Sequence, residues 1–471
     1  MATKHPFAEY IEYEFKEEEA GFGVPYLVPD SQRTHKDGSA PGGDPIERVG
    51  AGLVVIGVVA LLVQLVSGAM VGSWVGFSLS FGFPALGASL YFWAKYRHTA
   101  PGIKNDGLFF KGSTARGTIG WMVGVGLTTF YCLLYWYPEV LRDSGLVAIT
   151  DPIAIALTGR PGDHWFVYGL LYTLCVGVFG IRMLMRYRHN RYHIVRTISV
   201  MFFQMAFGFL IPSLLKLIEE PEFYFTTFWP LNRYYLLPGE NGMAWTATEA
   251  AGQVGVYMLL FAGAMTFLGT PILTYFYGKR WYCSWVCGCG GLAETLGDPY
   301  RHLSDKSTKA WKLERFLIYF VLAFIILVTA ALWINHTRGG DVLGGYTYQV
   351  QKAYGFWIGS MFAGVAGVGF YPIFGSRVWC RFGCPQAAIL GILQRVFSRF
   401  RITTNGGQCI SCGNCSTYCE MGIDVRAYAQ RGENIVRASC VGCGVCAAVC
   451  PRGVLKLENG SSVLLEERYT S

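Results

Sequence analysis

Eight cysteines near the end of the chain have the spacing of ligands for two iron–sulfur clusters. The stretches CISCGNCSTYC and CVGCGVCAAVCP each contain C-x2-C-x2-C-x3-C, and Pro451 closes the second. Three thiolates at this spacing bind one [4Fe–4S] cluster, whereas the fourth lies too far along the chain and binds the other cluster. The two predicted ligand sets are therefore Cys409, Cys412, Cys415 and Cys450 for one cluster, and Cys440, Cys443, Cys446 and Cys419 for the second.

Structural zinc is the alternative for these cysteines. Zinc sites usually use paired C-x2-C units rather than three cysteines in a row with an exchanged fourth, so the spacing favours iron–sulfur clusters. One residue departs from the usual motif, because Glu420 follows Cys419 where proline is common. A carboxylate there would disfavour the reduced, more negative cluster, and we expect it to lower the cluster's potential.

A second group of cysteines occurs in a phrase that the chain uses twice. FYGKRWYCSWVC and IFGSRVWCRFGC share the order aromatic-Gly-x-Arg-x-aromatic-Cys-x3-Cys. Residues four apart share one face of a helix, so Cys283 with Cys287, and Cys380 with Cys384, can each present two sulfurs. We expect these four thiolates to hold a third metal centre, either iron–sulfur or copper, at the membrane edge.

Other interpretations of the CxxxC pairs remain open. Each pair could cycle between dithiol and disulfide, bind copper(I), which favours soft thiolates, or consist of small packing residues. Cys289 follows the first pair and is either a fifth ligand or without a role.

The composition places these motifs in a membrane protein. Of 471 residues, 52% are hydrophobic and only 15% are charged, whereas soluble domains carry about 25% charged residues. A spanning helix needs about 20 mostly apolar residues. Eight segments meet that need: 47–70, 74–95, 117–137, 165–186, 197–217, 252–277, 313–335 and 355–376. The predicted fold is an α-helical polytopic membrane protein of about eight transmembrane helices, with a small C-terminal α+β dicluster ferredoxin domain.

Basic residues alternate between the loops and predict the orientation. They gather between spans two and three, four and five, six and seven, and after span eight. The positive-inside rule then puts both termini and the iron–sulfur domain in the cytoplasm, in a multi-pass protein of the bacterial cytoplasmic membrane. The same clusters explain the net charge of +8, so nucleic acid is not a predicted partner.

Four regions follow from these features. They are a polar cytoplasmic segment over 1–45, a four-helix membrane region over 46–195, a membrane region with both CxxxC motifs over 196–395, and a cytoplasmic ferredoxin-like domain over 396–471. None of the eight histidines lies in the middle of a predicted span, so no b-type haem is expected there. His189 and His193 lie in a basic loop, where surface positions beside lipid headgroups are expected.

The duplicated CxxxC, the second followed by Pro385, together with two C-terminal ferredoxin motifs, resembles the membrane polyferredoxins of the NapH, NosR and FixG/CcoG type. The phrase CEMGIDVRAYAQRG is also similar to this group, and the resemblance covers about residues 195–455. Gly288 stands where the family's CxxxCP motif has proline, and residues 46–190 have no counterpart. The resemblance implies electron transfer at the membrane, either oxidising quinol for a terminal reductase or reducing a metal during oxidase assembly.

The predicted function is electron transfer between cytoplasmic [4Fe–4S] clusters and the quinone pool or a membrane redox partner, as a quinol-dehydrogenase-like subunit. Gln204 and Glu294 are candidate quinone contacts. The alternative role for Gln204 is hydrogen bonding between helices, and the alternative for Glu294 is a solvated carboxylate in a loop. One alternative is a copper-reducing assembly factor for a respiratory oxidase. Another is a membrane scaffold and electron wire within a multisubunit redox complex. No hydrolytic or nucleotide-binding motif occurs.

Overall fold

Long apolar helices make up most of the computed structural model. It describes residues 13–16, 26–29, 44–97, 116–232 and 252–460. Within these ranges, seven helices are long and apolar enough to cross a membrane. They are α1 Pro45–Ser67, α2 Trp74–Arg97, α3 Thr118–Trp136, α4 His164–Arg186, α5 Arg191–Leu217, α6 Gln253–Tyr277 and α7 Thr308–Thr337.

Local sequence signals begin and end these helices. The side chains of Asp44, Asp163 and Asn190 accept hydrogen bonds from backbone N–H groups in the first turns of α1, α4 and α5. Gly68 ends α1 in the left-handed conformation. Much of the helix surface is apolar and faces outward, as in α1, where Val55, Ile56, Val59 and several neighbours are exposed. That exposed apolar surface suits a lipid environment and is unfavourable in water.

The eighth predicted span, 355–376, is helical but interrupted. A helix over Tyr346–Tyr354 continues as a π-helical segment over Gly355–Gly369, and a short helix follows over Tyr371–Phe374. The sequence therefore predicted the helical segment, and seven of the eight predicted spans correspond to helices that meet the length and hydropathy of a membrane crossing.

Each CxxxC phrase begins with a turn after its helix. In both phrases the turn is made by the glycine at the equivalent position. Gly278 has φ +68° and Gly375 has φ +92°, a region that favours glycine. A β-carbon on Gly278 would lie 2.8 Å from the Phe400 ring, and one on Gly375 would lie 2.5 Å from Ser304 Oγ. The duplicated glycine is thus required by both conformation and packing.

Short helices surround the two phrases and connect them to the last domain. They are Arg280–Cys283, Gly288–Glu294, Asp298–Leu303 (a 3-10 helix), Val378–Phe382 and Pro385–Phe397. The C-terminal domain pairs Phe400–Thr404 with Leu455–Asn459 as an antiparallel sheet. Between these strands lie helices Asn414–Thr417, Val425–Arg431 and Val445–Ala448, so the predicted α+β character is present.

Other short helices join the long ones, at Pro138–Asp143, Leu146–Ile149 and Asp151–Thr158. Near the start of the chain, strand Tyr13–Lys16 pairs with Tyr26–Pro29 in an antiparallel hairpin. The rest of the predicted polar segment up to residue 43 lies outside the described residues.

Candidate functional site

Four cysteines of the C-terminal domain line one open cleft. They are Cys409, Cys412, Cys415 and Cys450, and Pro451 and Arg452 lie at its rim. This group is the first predicted ligand set, including the cysteine taken from the second motif. The exchange of the fourth ligand between motifs is therefore compatible with the fold, and the assignment of iron to it stays a prediction.

The two cysteine motifs have the same backbone conformation. Ser411 and Gly442 occupy equivalent positions with φ +58° and +62°, and Gly413 and Gly444 follow with φ +78° and +80°. Each motif then enters a four-residue helix. Left-handed residues at equal intervals turn three successive cysteines toward a common centre, which is the arrangement that a cubane cluster requires.

The second set is buried more deeply than the first. Cys440 and Cys446 are buried, and Cys419 lies close enough to both to raise their thiol pKa values. Burial raises the pKa of Cys440 to about 11. Two buried and two partly buried sulfurs can become thiolates together only beside compensating positive charge, and the irons of a [4Fe–4S] cluster would supply it. The donor set therefore fits this cofactor.

Side chains of the membrane region bind the backbone of this second motif. Tyr192 Oη donates to Gly442 O at 2.8 Å, Ser284 Oγ to Val441 O at 2.9 Å, and Gln394 Nε2 to Cys440 O at 2.9 Å. Further donors are Lys279 Nζ to Ala438 O at 3.2 Å and Arg196 to Cys443 O. The ferredoxin domain is thus fixed to the membrane region through its second motif, whereas its first motif faces solvent.

The CxxxC cysteines are not on continuous helices, contrary to the sequence-based expectation. Cys283 ends one short helix, and Cys287 immediately precedes the next. Cys380 lies within Val378–Phe382, and Cys384 caps helix Pro385–Phe397, where its sulfur accepts from Ala387 N at 3.4 Å. Pro385 explains the break in the second phrase, since its ring cannot continue an upstream helix but suits a first turn.

The first CxxxC phrase contacts two of the long helices, α4 and α5. Gln204, near the middle of α5, donates to Val286 O. Tyr172 of α4 donates to Gly288 O at 2.8 Å and to Gln204 Oε1 at 3.0 Å. The short helix Gly288–Glu294, which follows Cys287, contacts both α4 and α5. Gln204 therefore has the interhelical hydrogen-bonding role rather than a free quinone contact.

The two CxxxC phrases meet around one buried arginine. Arg377 Nη1 donates to Cys283 O at 3.1 Å and lies 3.6 Å from Cys380 Sγ. All four cysteines are buried, and burial, together with the neighbouring Cys380, Cys283 and Cys287, raises the pKa of the Cys384 thiol well above its usual range. The structure therefore brings together the four cysteines that the sequence singled out as a third centre.

The spacing of these four sulfurs differs from that of a single-ion site. Sulfur ligands of one tetrahedral ion, at bonds of about 2.3 Å, lie roughly 3.8 Å apart. Among the described residues, the ligand atoms grouped within 4.8 Å of one another are those of Glu294, Glu420 and Cys443, and no three of the CxxxC sulfurs meet that limit. The iron–sulfur and copper alternatives for this group both stay predictions.

Cys289 has a defined contact. Its thiol hydrogen-bonds to Cys287, which lowers the pKa of Cys287 to about 7 despite burial and raises that of Cys289. Cys289 is thus placed to support a ligand sulfur, an arrangement that sulfur ligands of iron–sulfur clusters commonly use.

A buried network of arginines and carboxylates lies beside both the CxxxC cysteines and the second ferredoxin motif. Five arginines face three acids, and each of these side chains is at most 3% exposed. The members are Arg182, Arg186, Arg196, Arg301 and Arg377, with Glu294, Asp298 and Glu420. The formal surplus of positive charge lies beside sulfurs that would carry an anionic cluster.

The two glutamates of this network differ in ionisation. Burial opposes the charge of Glu294, yet Arg196, Arg301 and Arg377 hold its pKa well below the usual range. Burial and the neighbouring Glu294 raise the pKa of Glu420, although Arg301 and Arg377 oppose the rise. Glu294 is therefore not the solvated loop carboxylate or free quinone contact considered from the sequence.

The arginines are the functional residues that the sequence interpretation missed. Arg182, Arg186 and Arg196 were interpreted as loop charges that orient the protein, but all three are buried. His193, expected at the surface, is also buried and stacks on Tyr187 with ring centroids 4.6 Å apart. Arg182 and Arg186 lie four residues apart on α4 and therefore share one face of that helix. This spacing, together with the carboxylates Glu294 and Asp298 after the first CxxxC, was the sequence signal for a buried ion-pair network.

The trio of Glu294, Glu420 and Cys443 is a poor cation site despite its close atoms. Arg301 lies 2.7 Å from Glu420 and also binds Glu294, and Arg377 contacts both glutamates. A metal ion there would meet these guanidinium groups at short range, so the carboxylates already have their counter-charges.

Two family matches agree with this arrangement of cysteines. Residues 408–455 match the family described as "4Fe-4S dicluster domain". Residues 259–307 and 356–403 each match the family described as "4Fe-4S binding domain", so each CxxxC phrase lies in one copy. The chain therefore carries a ferredoxin-type iron–sulfur region at its C-terminal end and a duplicated iron–sulfur family match within its membrane region.

Curated relatives cover part of the chain. The "Putative electron transport protein YccM" of Escherichia coli K12 is 30% identical over 35% of this chain and 48% of its own length. An uncharacterised Methanocaldococcus jannaschii protein is 30% identical over 33% of this chain and 56% of its own. "Methylamine utilization ferredoxin-type protein MauN" of Paracoccus denitrificans is 29% identical over 40% of this chain and 69% of its own. The chain thus spans about half the length of the first two, and no solved structure matches it.

Proposed function

We propose that this protein is a membrane-bound electron-transfer protein of the polyferredoxin type, in the bacterial cytoplasmic membrane, with its iron–sulfur domain in the cytoplasm. Cys409, Cys412, Cys415 and Cys450 would bind the first cluster, and Cys440, Cys443, Cys446 and Cys419 the second. Cys283, Cys287, Cys380 and Cys384 would bind a third iron–sulfur centre. Bound clusters supply one-electron chemistry at low potential.

The observation that carries the proposal is the contact of Arg377 with both CxxxC phrases and with the network behind the second ferredoxin motif. The three cysteine groups are arranged in sequence: an open cleft, a buried motif, and a pair of phrases within the bundle. The open cleft is the accessible point for a cytoplasmic redox partner. The buried phrases adjoin α4 and α5, where a quinone or a membrane redox protein would exchange electrons.

The protein's own residues fix the position of the second motif and exclude water from the CxxxC sulfurs. Side chains of the membrane region hold the carbonyls of residues 440–443, which keeps the second motif at a constant distance from the CxxxC cysteines. Burial removes water from those sulfurs. The positive network compensates the charge that reduction adds.

The test is an anaerobic iron and sulfide count on the purified chain, with EPR during stepwise reduction. About twelve irons and three signals are expected for three [4Fe–4S] centres. About eight irons would remove the third centre and leave only the ferredoxin clusters. Stoichiometric copper bound through Cys283 and Cys380, and lost in their serine variants, would instead support the copper-reducing assembly factor.

A further inference from the structure

A single buried guanidinium joins the two phrases of the CxxxC site to the ferredoxin domain. Arg377 is 1% exposed. Its Nη1 donates to Cys283 O at 3.1 Å and lies 3.6 Å from Cys380 Sγ. Its Nη2 donates to Glu294 Oε1 at 2.7 Å, and its Nε lies 3.1 Å from Glu420 Oε1. Glu420 directly follows Cys419, a predicted ligand of the second cluster.

A second arginine completes the link from the ferredoxin side. Arg301 Nη1 lies 2.7 Å from Glu420 Oε2 and 4.0 Å from Cys443 Sγ. Glu294 and Glu420 both lie between the two guanidinium groups. An unbroken line of polar contacts therefore runs from Cys443 Sγ through Arg301, the glutamates and Arg377 to Cys380 Sγ.

We propose that Arg377 is a positioning residue that couples the CxxxC centre to the second ferredoxin centre, by its charge and by bridging the two sites. This inference rests on the proposed function, since it takes clusters at both cysteine groups. A buried positive charge beside a cluster favours the reduced, more negative state. The planar guanidinium has donors in several directions and can reach a carbonyl, a sulfur and two carboxylates at once, which an ammonium cannot.

The first CxxxC phrase has an arginine at the same place with different surroundings. Arg280 is half-buried, donates to Tyr277 O at 3.1 Å and stacks 4.1 Å from the centre of the Phe400 ring. The coupling role is thus a property of Arg377 in its tertiary position, not of the repeated phrase.

The experiment uses the full-length protein, purified anaerobically, with the variants R377Q, R377K, E294Q and R431Q. Iron and sulfide content is measured first, followed by EPR-monitored redox titration. Transfer between the second ferredoxin centre and the CxxxC centre is then timed by rapid freeze-quench after reduction. Arg431 is the control, because its side chain is about half exposed and pairs with Glu433 outside the buried network.

R377Q is expected to shift the reduction equilibria of both centres about tenfold toward the oxidised state, equivalent to 59 mV for one electron. E294Q removes an ionised carboxylate and should shift them in the opposite direction. R377K should restore the potentials but leave the transfer at least about tenfold slower, because the bridge is lost. R431Q should leave both potentials unchanged.

If R377Q lost iron, R377K and E294Q would decide the question. Unchanged potentials with slower transfer in R377K, together with a shift toward the reduced state in E294Q, are a combination that a general loss of packing would not produce, and a shift toward the oxidised state in E294Q would overturn the inference. Full iron with unchanged potentials in R377Q, or equal shifts in E294Q and R377Q, would overturn the inference and leave the proposed function intact. About eight irons in the unmodified chain would instead remove the third centre itself.

Discussion

The two CxxxC phrases begin alike and then differ. Both turn at a glycine with positive φ, and both place their second cysteine immediately before a helix. After Cys287 the chain provides Glu294 and Asp298, two of the three acids of a buried ion-pair network. After Cys384 it provides the helix Pro385–Phe397, whose neutral Gln394 side chain binds the ferredoxin domain.

This difference shows that the same cysteine phrase can be followed by two different kinds of link to the rest of the protein. The shared part forms the cysteine site, whereas the following residues form a charged link in the first repeat and a neutral one in the second. Charged buried links are costly to break, because the partner left behind is an uncompensated charge. Neutral links cost less.

Loss of a cysteine from either repeat should have the largest effect. C283S and C380S should each lower the iron content from about twelve to about eight per chain, because the third centre needs both phrases. Iron analysis and EPR measure this, and C132S in α3 is the control. Iron loss in one variant only would mean that the repeats do not form a common centre.

Breaking the charged link should reduce stability strongly. D298N leaves Arg182, Arg186 and Arg301 without a shared carboxylate, so we expect a loss of about 3–5 kcal/mol in the free energy of unfolding. Thermal unfolding in detergent under argon measures it. E433Q is the control, because the Arg431–Glu433 pair is about half exposed and such pairs contribute little.

The same carboxylate predicts a pH dependence. Burial opposes its ionisation, but Arg186, Arg301 and Arg182 hold the pKa of Asp298 well below its usual range. A depressed carboxylate pKa stabilises the fold above the unfolded value of about 3.9, and this contribution is lost as the pH falls. The stability difference between the unmodified chain and D298N should be constant from about pH 5 to 8 and shrink below about pH 4. A stability difference between the unmodified chain and D298N that increased as the pH fell would contradict this prediction.

Breaking the neutral link should cost less. Gln394 Oε1 accepts from Lys279 N at 2.7 Å, and its Nε2 donates to Cys440 O at 2.9 Å. Q394A should lower the free energy of unfolding by about 1–3 kcal/mol, without the pH dependence of D298N. The same unfolding measurement applies, with exposed Gln253→Ala as control. A loss as large as that of D298N would remove the distinction between the links.

The residues directly after the second cysteines should have the smallest effect. A β-carbon on Gly288 would lie 3.0 Å from Gln204 Oε1 and 3.2 Å from Tyr172 Oη, so G288A should cost about 1 kcal/mol. P385A should cost about 0.5 kcal/mol through the flexibility of the unfolded chain. Both should retain full iron, and loss of iron in G288A would mean that this glycine shapes the metal site.

Local patterns in the sequence were enough for the helices and the cysteine groups. Each of the seven membrane-crossing helices overlaps a predicted apolar segment, because hydrophobicity over about 20 residues is a local property. Cys409, Cys412 and Cys415 were grouped by spacing alone, and Cys450 lines the same cleft. The family matches fall on the same cysteine motifs, with one match over the ferredoxin motifs and one over each CxxxC phrase.

Tertiary structure decided what the charged residues do. Arg182 and Arg196 have the sequence context of topology signals, yet their partners Asp298 and Glu294 lie about a hundred residues away. Arg280 and Arg377 occupy the same place in a repeated phrase, but only Arg377 bridges cysteines and carboxylates. Periodicity and spacing are short-range and can be read along the chain, whereas an ion pair depends on which distant helices pack together and how much water they exclude.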